Sequence, residues 1–137
     1  MWWIYALLSA VFAALTAIFA KIGIKGVDTD LATAIRTVVI LILAWSIAFF
    51  RGGTNTIHTL TRHSILFLIL SGIATGLSWI FYFKALQMGK VSLVAPVDKA
   101  SVAIAIILSI IFLGETLTLK MAIGATMIIA GTIILIL

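Results

Sequence analysis

No cysteine occurs among the 137 residues of this chain, and only one proline. The first absence excludes a disulfide frame and leaves the redox compartment unreadable. Acids are nearly missing as well: four Asp and Glu stand against nine Lys and Arg, for a net charge of +5. The basic residues are scattered, with no dense run, which argues against nucleic-acid binding and for basic residues flanking membrane spans. No nucleophile–base–acid set and no phosphate loop is visible, so enzyme chemistry has no foothold. The two histidines, His58 and His63, lie in a polar stretch without carboxylates beside them, a poor start for a metal site. No cofactor is implied.

What the chain has in excess is apolar surface: 64% of residues are hydrophobic and 9% charged. A soluble domain of this size has too much surface for its volume to hide so many aliphatic side chains. Lipid is the natural solvent for the remainder. Five apolar stretches run over Trp2–Ala20, Leu31–Phe50, Ser64–Phe83, Val91–Leu113 and Leu117–Leu137. Each is close to the ~20 residues a helix needs to cross ~30 Å of hydrocarbon. The expected fold is therefore all-α, a polytopic membrane protein of five transmembrane helices, with 1–137 as a single domain. "MWWIYALLSAVFAALTA" has the apolar core of a signal peptide but no basic region before it, and it reads as the first span. Gly26, Gly89 and Gly114 are candidate C-caps; Thr29, Ser92 and Thr116 or Thr118 are candidate N-caps.

"SAVFAALTAIF" from Ser9 is echoed by "SGIATGLSWIF" from Ser71, and Lys21, Gly26 and Arg36 are answered by Lys84, Gly89 and Lys99. Shared lipid-phase composition explains such an echo as well as a repeat does. A genuine repeat makes helices 1–2 and 3–4 parallel copies, with the fifth unpaired. Orientation is weakly encoded: Arg51, Arg62 and Lys120 fall on the face of the N-terminus, and Lys21, Lys25, Lys84 and Lys90 on the other. Three against four is almost no positive-inside signal.

Charges inside the apolar runs are the candidates for function, because each costs at least ~2.5–3.5 kcal/mol at the membrane centre. On a helix, Asp98, Ser101, Ala105 and Ser109 share one face, small and polar along its length. Lys99 aligns with Val102, Ala103 and Ile106, from where its stem can snorkel outward without pairing to Asp98. Pro96 removes a backbone hydrogen bond nearby and is expected to kink or open the helix there. Arg36 lies one to two turns into the second helix. Its partner is either Asp98, by a carboxylate fork, or the loop acids Asp28 and Asp30. Trp79, Tyr82 and Phe83 put aromatic surface on one side of the third helix, for a solute route or for packing. Glu115 reads as structural, ahead of the last helix and favoured by its dipole. Small residues (Ser9, Ala13, Thr16, Ala20; Gly72, Gly76; Gly124, Gly131) mark close helix contacts. Gly124 and Gly131 lie two turns apart, bordered by Ala125 and Thr132, as a groove for a second copy or for the chain's own helices.

From "FYFKALQMGKVSLVAP" through "IIFLGETLTLKMAIGATMIIAGTIIL" the chain resembles an EamA-type domain of the drug/metabolite transporter superfamily. Leu113-Gly114-Glu115 followed by Gly124 and Gly131 carry the most specific likeness, and Arg36 early in the second helix adds to it. The first helix is similar to that of small multidrug exporters, yet Ala13 stands where those have a proton-coupling glutamate, so that mechanism does not carry over. The resemblance implies a half-transporter for a small-molecule solute, driven by gradients or exchange. Its expected setting is the inner membrane of a prokaryote, as a multi-pass protein of single or dual orientation. A homodimer paired through the last helix is expected, or a heterodimer with a second five-helix protein. Arg36, Trp79, Asp98 and Ser101 are then the solute-binding candidates, and Gly124 and Gly131 the dimer interface. A non-transporting subunit of a larger membrane complex is the competing reading.

Overall fold

Strands are absent from the computed structural model, which describes residues 1–137 as helices and short connections. The helices are α1 (Trp2–Gly23), α2 (Thr29–Phe50), α3 (Arg62–Met88), α4 (Val91–Asp98), α5 (Ser101–Leu113) and α6 (Leu119–Ile136). A 3₁₀ segment, Gly53–Thr59, joins α2 to α3. Five spans are long and apolar enough to cross a bilayer: α1, α2, α3, α4 with α5, and α6. The expected fold class is the one observed.

Local chemistry sets the ends. Asp28, not Thr29, caps α2: its carboxylate accepts the N–H groups of Asp30 and Leu31 at 3.0 Å each. An ionised acceptor satisfies two orphan donors and favours the positive end of the helix dipole, which a threonine hydroxyl does less well. Thr118 caps α6 as expected, accepting from the Met121 N–H. Gly114 closes α5 at φ +68°, a left-handed conformation costly to any residue with a Cβ. The third span runs one turn beyond the apolar stretch, since Lys84, Ala85, Leu86, Gln87 and Met88 all propagate a helix well. Leu86, beyond the end of that stretch, is fully buried.

The fourth span is two helices. Pro96 lacks the N–H of its turn, and the chain tightens just past it. Lys99 bonds back to the Pro96 carbonyl, Ala100 to Val97 and Val102 to Lys99, each three residues apart at 3.0 Å. Such 3₁₀ bonds end α4 at Asp98 and restart the helix at Ser101.

Two compact units divide the residues. In one, Met1–Ile18 with Met88–Leu137, both α4 and α5 pack against α6. Its buried side chains are Ala17, Ala103 and Thr132. In the other, Phe19–Gln87, the 3₁₀ segment packs on the end of α2, and Ala20, Ile24, Thr33, Phe83 and Leu86 are buried. Large apolar side chains are otherwise exposed along every span, among them Ile42, Phe67, Ile104 and Ile134. Lipid in place of water makes that exposure inexpensive.

Candidate functional site

Arg36 sits in the second turn of α2, where the sequence places it, and it is half-buried. Its guanidinium carbon lies 4.7 Å from the centroid of the Trp79 ring and 4.5 Å from that of Phe83. Trp79 and Phe83 are four residues apart on α3, so one helical face presents both rings. Phe83 is fully buried and fixes the platform, while Trp79 is half-buried. Tyr82 adds a tilted contact to Phe83 at 6.1 Å. The cation is thus held in the low-dielectric span by the negative faces of two aromatic rings. The expected turn towards Asp28 and Asp30 is not made: the guanidinium lies on the rings, and Asp28 caps α2 through one carboxylate oxygen.

The ends of α1 and α3 in this unit are tied by polar side chains. Lys21 Nζ donates to the Leu86 carbonyl, an orphan acceptor at the C-terminus of α3. Gln87 Nε2 donates to the Val27 carbonyl at 3.1 Å. These bonds fix the end of α3 that carries Phe83, one turn before Leu86. Nothing in the local pattern of either helix announces them.

Asp98 and Ser101 belong to the other unit, on either side of the break after Pro96. Asp98 is half-buried and pairs with Lys99 at 3.4 Å, a pairing that the spacing of the two neighbours did not require. The tightened turn between them rotates the backbone away from an α-helical register. The continuous face drawn from Asp98 through Ser109 is therefore interrupted, and Ser101 is exposed. The Pro96 carbonyl accepts from Thr132 Oγ1 of α6 at 3.3 Å, and that hydroxyl also donates to Ile128 at 2.8 Å. Thr132 faces inward on α6 and does not border an open groove. Gly124 and Gly131 do lie open: a Cβ at either meets nothing within 4 Å, and the same holds for Gly72 and Gly76.

A groove of about 250 Å³ is lined by Ala44, Trp45, Ala48, Gly53, Thr54 and Ile57. Trp45 is nine residues from Arg36, about 13 Å along α2, so this apolar groove is separate from the arginine cluster. No group of His, Asp or Glu is placed to hold a metal ion.

Five apolar spans, with a guanidinium set inside one of them, define a polytopic membrane protein. The whole chain, residues 1–137, matches the EamA-like transporter family, and it belongs to that family. Membership supports a transporter role. An uncharacterized transporter from the cobO 3' region of Sinorhizobium sp is 46% identical over 134 residues, covering 98% of this chain and 95% of the relative. An uncharacterized protein of Methanocaldococcus jannaschii is 42% identical over 67 residues, about half of each chain at 49%. No solved structure matches.

Proposed function

We propose that this chain is a small-molecule transporter of the drug/metabolite type, working as a homodimer in the inner membrane of a prokaryote. The observation that carries the reading is Arg36, kept charged within a membrane span on the rings of Trp79 and Phe83. A purely structural helix need not bear that desolvation cost. Family membership and the transporter name of a relative of nearly the same length support it. Asp98 beside the broken fourth span supplies a second charge, and broken helices in transporters free backbone groups for solute or motion. The open line of Gly124 and Gly131 on α6 supports pairing, since no side chain of the same chain fills it. Solute flux into proteoliposomes across a metabolite panel tests the reading. Saturable uptake that Arg36→Gln and Asp98→Asn each reduce, with both variants folded, is the expected result. Folded protein that moves no solute returns the chain to the role of a membrane subunit.

A further inference from the structure

We propose that Arg36, Trp79 and Phe83 form an anion-recognition site, whose ligand is a small organic anion bearing a carboxylate or phosphate group. The proposal rests on the transport reading and adds to it the chemical class of the solute. A guanidinium has five N–H donors in its plane and no acceptor. The rings attract it through their faces, at 4.7 and 4.5 Å, and a ring offers no in-plane lone pair to those donors. Within the unit Phe19–Gln87 the arginine has these ring contacts and neither a hydrogen bond nor an ion pair.

The acids of that unit do not balance it. Asp28, eight residues before Arg36 and about 12 Å along the axis, caps α2 through one oxygen and makes no ion pair with the arginine. Asp30 is six residues away, about 9 Å along the helix axis. The unit as a whole carries six Lys and Arg against two Asp, so its field favours an arriving anion. A fully buried Phe83 and a half-buried Trp79 hold the fork in place before the ligand arrives. Preorganisation of that kind keeps the ordering cost of binding low. Carboxylate and phosphate oxygens match the donor spacing two at a time, which a neutral amide or a cation does not.

The test uses the full chain with Trp2→Phe, Trp3→Phe and Trp45→Phe, which leaves Trp79 as the single tryptophan of the original four. Its emission is titrated in phosphatidylcholine vesicles with glutarate and glutaramide, glycerol 3-phosphate and glycerol, and cadaverine. The anions are expected to shift Trp79 emission saturably, at concentrations about tenfold below their uncharged twins, the difference one charge-assisted hydrogen bond provides. Arg36→Gln is expected to abolish the shift, and Arg36→Lys to weaken it through loss of the two-pronged fork. Equal responses to the twins or to cadaverine, no response to either anion, or an unchanged titration in Arg36→Gln would overturn the site. Vesicles containing phosphatidylglycerol separate the sources of phosphate: a shift from that lipid alone, blocking glycerol 3-phosphate, makes the occupant a headgroup and overturns the solute claim. Flux of the same compounds distinguishes the two layers. A saturable, Arg36-dependent titration without flux contradicts transport and keeps the site, whereas cadaverine flux indifferent to Arg36→Gln does the reverse.

Discussion

Arg36 combines a permanent charge, a place within an apolar span and two aromatic neighbours, and each part predicts a different loss. Removing one ring leaves the charge but weakens its support. Trp79→Leu is expected to destabilise the protein by about 1–2 kcal/mol, the worth of a desolvated cation–π contact, measured by thermal unfolding in detergent. Lys21 acts one turn further along α3, on the Leu86 carbonyl. Lys21→Met keeps the apolar stem and leaves that carbonyl without its charged donor, at a cost of about 1.5–3 kcal/mol in the same assay. No loss in either variant would show that these contacts carry no stability. The charges themselves were legible in the sequence, since Arg36 and Asp98 interrupt otherwise apolar runs. Their partners were not. Trp79 and Phe83 announce a shared face by their spacing of four, but their meeting with Arg36 spans over forty residues of chain. Asp28, which the sequence offered as an ion-pair partner, instead caps α2 through one carboxylate oxygen.

Among the elements, the fourth span is where sequence and structure differ most usefully. Pro96 signalled a disturbance, and the disturbance is there. Of the two expected forms, a kink or an opening, the run of 3₁₀ bonds after Pro96 is nearer the second: it makes two helices and ends the polar face drawn from Asp98 onward. Periodicity reads a register only as far as the helix stays α. The hydroxyl of Thr132 secures the junction by bonding the Pro96 carbonyl. Thr132→Val is expected to cost about 0.6 kcal/mol, an ordinary interhelical hydrogen bond within a membrane. Pro96→Ala restores an N–H donor and is expected to raise thermal stability while lowering flux, because the break no longer opens as readily. Higher stability with unchanged flux would make the break a structural feature without a part in transport.

Across the whole molecule, the spans were legible because lipid imposes a length and a polarity that the sequence must display. Pairing is less legible, since in lipid it depends on small residues and shape, with little hydrophobic drive. Gly124 and Gly131 are open on α6. Gly124→Leu with Gly131→Leu is expected to convert dimer to monomer in detergent with helix content kept; a variant that stays dimeric places the interface elsewhere. Near-balanced basic residues predict that both orientations occur, so cysteines introduced at Thr54 and at Gly26 should each be labelled from outside intact cells. The central claim is solute transport dependent on Arg36, and counterflow in proteoliposomes addresses it most directly. Wild-type protein should show saturable exchange of an anionic solute above empty vesicles, and Arg36→Gln, equally folded, should fall to the empty-vesicle level. Exchange that is absent in the folded wild type, or equal in the two proteins, would contradict it.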